Sequence, residues 1–328
     1  MSESAQSNTA DIPALPEFAD VERAAQRIAP YVTHTPVLRT RGIDAAAGAA
    51  LAFKCENFQR AGAFKFRGAC NAVWSLTAAV AARGVVTHSS GNHGAALALA
   101  ARTRGITAHV VVPENAVKSK LAAIEAYGAT LHCCAPTIAA REAAAAKLQA
   151  ETGAELVHPY TDARVIAGQG TAALELLHEV GELDALIAPI GGGGLIGGSA
   201  ITAKALNPNI KIYAAEPAGA ADAYESLRRG QRVTDIVPDT VCDGLRGTIG
   251  EINLTLLRRY DVRVLPVEEA QTIAAMRLVF ERMKIVIEPS SAIALAAILG
   301  HPELFGGRRV GIIVSGGNVD LQRLPWQP

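Results

Sequence analysis

The chain has 328 residues, half of them hydrophobic and 19% charged, with 31 basic side chains balanced by 31 acidic ones. This is a globular composition, large enough for one big domain or two ordinary ones, and it excludes a disordered chain. Zero net charge argues against a nucleic-acid binder, which needs a basic surplus or stripe, and the sequence holds no run of about 18 apolar residues that would cross a membrane.

Residues 1–17 read as an acidic, Ser- and Asn-rich flexible tail with neither a basic start nor an apolar stretch, so a cytoplasmic protein is expected. From there on, short β-branched runs alternate with helical stretches, many of them Ala-rich. That rhythm belongs to βαβ units whose parallel sheets are covered on both faces. In chain order the expected strands span 84–88, 108–112, 130–133, 185–190, 211–215, 262–267 and 310–314; the expected helices span 94–104, 117–127, 138–152, 170–180, 267–284 and 290–299. No repeat, linker or charge block marks a boundary. Three successive strand-helix units within 76–159 predict a small α/β domain inserted into a larger one built from 18–75 and 160–328. Cys55, Cys70, Cys133, Cys134 and Cys242 form an odd set without CxxC spacing, which speaks for small buried hydrophobes rather than zinc or disulfides.

In doubly wound sheets ligands bind beyond the carboxyl ends of the strands, so breaks of small residues at those points are candidate sites. Ser89-Ser90-Gly91-Asn92-His93-Gly94 is one: a polar loop opening a helix offers free N–H groups and the positive end of the helix dipole to an anion. Gly191-Gly192-Gly193-Gly194 is another. Four glycines cost roughly 1 kcal/mol each relative to Ala, more than a plain turn needs, and they permit close approach of the backbone to a phosphate. Gly192, Gly194 and Gly197, with Glu216 about 20 residues on, also fit the weaker G-x-G-x-x-G pattern of a dinucleotide site. Lys65 stands between Phe64 and Phe66, where loss of water would lower its amine toward nucleophilic use. Ser315-Gly316-Gly317-Asn318 closes the last strong strand in the same manner.

The set of Lys54-Cys55-Glu56-Asn57, Gly62-Ala63-Phe64-Lys65-Phe66-Arg67-Gly68-Ala69, Ser89 to Gly94, Gly191 to Gly194, Glu288-Pro289 and Ser315-Gly316-Gly317-Asn318, in this order, resembles the fold-type II pyridoxal-phosphate enzymes. Within them it is similar to the threonine/serine dehydratase and serine racemase branch, over nearly the whole chain from about Phe18. The resemblance implies an α/β fold of two parallel-sheet domains, tryptophan synthase β-like, with pyridoxal 5'-phosphate in the cleft between them. It makes Lys65 the lysine that carries the cofactor and takes the α-proton, Gly191, Gly192, Gly193 and Gly194 the phosphate cradle, Asn92 the partner of the 3-hydroxyl and Ser315 the partner of the pyridine nitrogen. Phe64, Gly244 and Glu288 complete the cofactor's surroundings. Ser89, Ser90, Asn92 and His93 would receive the substrate, Ser90 also matching the residue that protonates the opposite face of the α-carbon in racemases, and Arg141 would lie near the substrate's distal end. Glu216, Ala220 and Asp222 resemble the branch's site for a divalent cation, Mg2+, Mn2+ or Ca2+. A neutral Ser at the ring nitrogen weakens the electron sink and directs chemistry toward loss of a β-substituent.

Two motifs depart from the family. Ala63 stands where Ser is usual, and Arg246-Gly247 where serine racemases carry Lys-Ser, which points away from plain serine. The expected activity is a dehydratase, or ammonia-lyase, acting on a β-hydroxy-α-amino acid such as serine, threonine, 3-hydroxyaspartate, a phenylserine or a hydroxyectoine-derived intermediate. An amino-acid racemase is the alternative; an NAD-dependent oxidoreductase and a non-catalytic binding protein are more distant ones. A homodimer or larger homo-oligomer is implied by the family.

Overall fold

The computed structural model describes residues 14–327. The expected tail thus lies outside the described residues up to position 13; 14–17 run without regular structure into the helix Phe18–Ile28. Ten strands follow: β1 (Val37–Leu38), β2 (Ala50–Cys55), β3 (Val85–His88), β4 (Ala108–Pro113), β5 (Thr130–Cys134), β6 (Glu155–Leu156), β7 (Ala185–Pro189), β8 (Lys211–Pro217), β9 (Arg263–Val267) and β10 (Arg309–Val314). They form a six-stranded sheet in the order β1-β2-β10-β7-β8-β9 and a four-stranded sheet in the order β5-β4-β3-β6. The pairings are parallel except that of β1 with β2.

Burial on both faces explains why these strands read as continuous apolar runs. In β7, Leu186 and Ala188 face the helices Ala163–Val180 and Gly194–Leu206, while Ile187 between them faces Pro289–Gly300 on the other side. In the smaller sheet, Val110 and Val112 face Asn92–Arg104 and Lys118–Ala126, and Val86 and Val111 face Ile138–Thr152. Each buried Val, Leu or Ile side chain among these contributes about 1.5–3 kcal/mol of hydrophobic stabilisation. Among the described residues no helix is long and apolar enough to cross a membrane.

Two differences from the sequence reading matter for the site. The strand β2 is absent from the expected set, because a lysine sits in its apolar run; Lys54 is nonetheless fully buried. The helix expected at 170–180 begins at Ala163, capped by the Asp162 carboxylate, which accepts from the Arg164 N–H at 2.8 Å. Gly168 and Gly170 lie inside it because other backbones pass there: a Cβ on Gly168 would meet the Arg67 carbonyl oxygen at 2.7 Å, and one on Gly198 would meet the Ile166 oxygen at 2.3 Å. Three helices, Lys65–Trp74, Ala163–Val180 and Gly194–Leu206, therefore cross backbone to backbone. The first and third of these begin at Lys65 and at the glycine turn.

Candidate active site

Lys65 opens its helix after a tightly held approach. Ala61 and Gly62 both have positive φ (59° and 71°), Ala63 pairs with Gly316, and the Phe64 N–H donates to the Ser315 carbonyl at 2.9 Å. The end of β10 thus fixes where the lysine starts. Its Nζ donates to the Pro159 carbonyl at 2.9 Å and lies 5.1 Å from the centre of the Phe64 ring. Among the described residues it has no carboxylate partner, and burial lowers the amine from the ordinary 10.5 to about 8.

The glycine turn joins β7 to Gly194–Leu206, with Gly193 at φ 92°. Added β-carbons would meet the Leu245 backbone at 2.9 Å from Gly191, the Tyr160 ring at 2.3 Å from Gly192 and Ile249 at 2.6 Å from Gly193. The Gly192 carbonyl accepts from the Gly250 N–H at 3.2 Å and from the Asn253 amide at 2.6 Å, an amide that also donates to the Tyr160 carbonyl at 2.8 Å. A rigid backbone turn at a helix N-terminus, where no side chain fits, suits a phosphate ester. A buried amine without an acid partner suits an aldehyde.

Between the sheets, Asn92 donates to both carboxylate oxygens of Glu288 at 3.0 and 3.2 Å, and its own oxygen accepts from the Asn318 amide at 2.9 Å. Burial lifts Glu288 to about 7. The Gly244 N–H donates to the Ser290 hydroxyl at 3.0 Å. The buried Ser315 hydroxyl lies 2.9 Å from that of Ser291 and 3.5 Å from the Ser290 carbonyl, and the Ser291 hydroxyl meets both the carbonyl and the N–H of Gly316 at 2.7 Å.

The remaining candidates divide into those joined to this group and those apart from it. Half-buried Ser89 and Ser90 follow β3, and the Ser89 hydroxyl accepts from the Gly91 N–H at 3.4 Å. His93 is buried in the first turn of the next helix, its Nε2 3.3 Å from the Val157 carbonyl; burial first, and then the charge of Lys65, hold it well below its ordinary range. Arg141, half-buried, bonds the Thr137 carbonyl of its own helix start at 3.4 Å, and no hydrogen bond joins it to the other candidates among the described residues. Gly247 lies against Tyr160, where a Cβ would stand 3.5 Å from the ring, and Arg246 is exposed and donates to the Thr240 carbonyl at 2.7 Å.

Glu216 ends β8 buried, with its oxygens accepting from the N–H groups of Ala223 (2.8 Å) and Tyr224 (2.9 Å). Those bonds tie the carboxylate to the start of the helix Asp222–Arg229, while each oxygen keeps a further lone pair. Asp222 is also buried and accepts from the Ile249 N–H at 2.7 Å. Burial raises both carboxyls, Glu216 to about 8 and Asp222 to about 6. Among the described residues no group of three or more His, Cys, Asp or Glu comes together as a metal site; Glu216 and Asp222 are a pair, with Ala220 buried between them in the chain.

Sequence reasoning passes over His158, Pro159, Tyr160 and Asn253, which hold the lysine and the glycine turn. The first three follow a strand, β6, that is only two residues long and leaves no periodic signal. It also passes over the salt bridge of Lys120 with Asp243, which links the helix Lys118–Ala126 to the turn holding Gly244.

A family model described as pyridoxal-phosphate dependent enzyme matches residues 28–316. The chain is similar to beta-hydroxyaspartate dehydratase of Paracoccus denitrificans, 47% identical over 95% of this chain and 99% of that protein. It is similar to serine racemase of Dictyostelium discoideum, 50% identical over 93% of this chain and 95% of that one. Among solved structures, the Dictyostelium serine racemase superposes with a TM-score of 0.90 at 49% identity, covering 94% of this chain and 100% of that one. A threonine deaminase from T.th. gives 0.89 at 40% identity, covering 93% and 99%.

Proposed function

Because the chain belongs to the pyridoxal-phosphate-dependent enzymes, we propose that it is a dehydratase, an ammonia-lyase that takes water from a β-hydroxy-α-amino acid and yields a 2-oxo acid and ammonia. The observation that carries this reading is the Lys65 amine, lowered to about 8 and held by the Pro159 carbonyl with no carboxylate on it. When bound, pyridoxal phosphate supplies an aldehyde for such an amine and a ring that accepts electrons from the substrate's α-carbon. Lys65 would hold it and, once freed by the substrate, move the α-proton; an amine near 8 is suited to that exchange at neutral pH. Gly191, Gly192, Gly193 and Gly194 would hold the phosphate by their backbone, Asn92 the ring oxygen and Ser315 the ring nitrogen. Phe64, Gly244 and Glu288 would enclose the ring.

Among the described residues the Ser315 hydroxyl meets neutral groups, the Ser291 hydroxyl and the Ser290 carbonyl, and its one proton can turn to an unprotonated ring nitrogen. A hydroxyl there does not hold the ring nitrogen protonated, which favours loss of the β-hydroxyl over transamination. Ser89, Ser90, Asn92 and His93 would receive the substrate's α-carboxylate, and Arg141 a distal acidic group. The similarity to beta-hydroxyaspartate dehydratase, together with Ala63 and Gly247, makes 3-hydroxyaspartate the first substrate to try, ahead of serine, threonine and bulkier analogues. A second reading, amino-acid racemisation, is favoured by the similarity to serine racemases and by the hydroxyl of Ser90.

Glu216, Asp222 and the Ala220 carbonyl are proposed as the seat of a divalent cation. Two buried carboxylates and a carbonyl form a hard oxygen set suited to Mg2+, Mn2+ or Ca2+, and no basic side chain is hydrogen-bonded to either carboxylate among the described residues. On the family resemblance alone the enzyme is proposed to be a cytoplasmic homodimer or larger homo-oligomer.

The test is a screen of β-hydroxy amino acids for 2-oxo acid and ammonia, with and without Mg2+ and chelator. The expected result is turnover of 3-hydroxyaspartate with the highest kcat/KM, and none in Lys65→Ala. Racemisation of serine without 2-oxo acid from any of them would replace this reading with the second one.

A further inference from the structure

We propose that His158 is a positioning residue for Lys65: its unprotonated Nδ1 closes the turn that aims the Pro159 carbonyl at the lysine amine. Nδ1 accepts from the N–H of Tyr160 at 3.3 Å and from that of Thr161 at 3.1 Å. A side-chain acceptor bonding backbone N–H groups two and three residues ahead fixes a local turn in place of a backbone bond. Pro159 lies inside that turn, and its carbonyl is the hydrogen-bond partner of Lys65 Nζ, at 2.9 Å. Proline supplies no N–H of its own and fixes one dihedral, so the two bonds from Nδ1 determine which way the carbonyl faces.

The same ring reaches the other parts of the site. It packs edge-on against Tyr160, 4.6 Å between centroids at 88°, and against His88, 5.1 Å at 77°. Tyr160 covers Gly192, where an added Cβ would stand 2.3 Å from its ring. His88 ends β3, from which the Ser89-Ser90 loop departs. One imidazole therefore touches the lysine's carbonyl turn, the cover of the glycine turn and the root of the serine loop.

An imidazolium would carry a proton on Nδ1 and lose both turn bonds, so the working form is neutral with its hydrogen on Nε2. Burial, and then the neighbouring His88 and Lys65, push His158 down to about 3, which keeps the acceptor available at any working pH.

Two substitutions separate the acceptor from the ring. His158→Phe keeps the aromatic packing and removes the acceptor; His158→Asn gives up the ring and places an oxygen where Nδ1 was. The measurements use the full chain freed of cofactor. One is the pH midpoint of Lys65 acetylation by acetic anhydride, read by peptide mass spectrometry; the other is the rate at which the protein takes up added pyridoxal phosphate, read from its visible band. In His158→Phe the amine swings toward water: the midpoint rises from about 8 toward 10.5 by about one unit or more, and uptake slows roughly tenfold or more. In His158→Asn the midpoint stays near 8 and uptake stays within about threefold of the parent.

Phe with a parental midpoint and uptake overturns the proposal, as does Asn displaced as far as Phe. If the Phe variant does not fold, the Asn midpoint alone decides. The proposal rests on Lys65 being the cofactor's lysine, but the two fail separately: a parent protein that never forms the visible band ends the functional reading, while the labelling midpoints still test the turn.

Discussion

Lys54, fully buried, and Lys65, half-buried, stand eleven residues apart in the chain and end with opposite chemistry. Lys54 Nζ stands 2.6 Å from a Glu175 oxygen and donates to the Thr35 carbonyl at 2.6 Å. Glu175 is shared with Arg67, which also grips Glu56 through two bonds of 2.7 and 2.8 Å, so two cations and two anions cancel inside the protein. Lys65 receives a carbonyl and no acid. Burial makes an amine reactive only where its countercharge is withheld; where the countercharge is supplied, the same residue becomes a structural pin between β2 and the helix Ala163–Val180.

Replacing each lysine by methionine breaks this comparison most directly. In Lys65→Met, turnover and the cofactor's visible band are lost altogether, yet the cofactor-free protein becomes more stable. The unfolded amine keeps its proton up to 10.5 and the folded one releases it at about 8, so the unfolded chain holds more protons between those values and parental stability rises with pH across them. The methionine variant's gain is therefore largest below pH 8, up to about 3 kcal/mol, and fades toward pH 10.5. Denaturant melts at pH 7 and pH 10 read it; a variant no more stable than its parent at pH 7 means that Lys65 has a countercharge after all. Lys54→Met runs the other way. It leaves a surplus negative charge among Glu56, Glu175 and Arg67 and costs about 3–5 kcal/mol, while the labelling midpoint of Lys65 stays near 8.

The contrast also explains what is legible in the sequence. Lys65, the four glycines and Ser315 stand at strand or helix ends in runs of small residues, and each carries its signal locally. The helix at 138–152 is legible to the residue because Thr137 and Gly153 bracket an Ala-rich run, and both cap it. Lys54, Glu56 and Arg67 look like surface charges, since a charged side chain announces burial only through partners that are distant in sequence, here Glu175 on another helix. Gly168 and Gly170 look like helix breakers and are contact points instead. His158 and Pro159 follow a strand too short to be seen, so the rule that sites lie at strand ends has nothing to act on.

Those contact points yield a smaller effect. Gly198→Ala places a methyl 2.3 Å from the Ile166 carbonyl and 2.7 Å from the Gly170 nitrogen, both of them backbone atoms that cannot swing aside. The helix Gly194–Leu206 must retreat from Ala163–Val180, at a cost of about 1–3 kcal/mol. Since that helix begins at the glycine turn, affinity for pyridoxal phosphate falls as well, measured by dialysis and retitration. Unchanged affinity with the stability loss would mean that the turn is held by Asn253 and Gly250 rather than by the helix behind it.

The smallest effect separates two bridges over one gap. Asn92, half-buried, bonds the buried Glu288 and the exposed Asn318, whereas the Lys120–Asp243 pair, also running from the smaller sheet's layers to the larger sheet's loops, leaves its side chains 37% and 42% exposed. Water and salt screen such a pair, and a double-mutant cycle of Lys120→Ala with Asp243→Asn is expected to give a coupling of about 0.2–1 kcal/mol that shrinks in 1 M salt. Asn92→Ala strips a buried carboxylate of two hydrogen bonds and is expected to cost more, about 1–3 kcal/mol, and to raise Glu288 further above 7, because the amide lowers it at present. A coupling for Lys120 and Asp243 that exceeded the cost of Asn92→Ala would reverse the ranking and make the exposed pair, rather than the amide, the bond that keeps the two sheets together over the site.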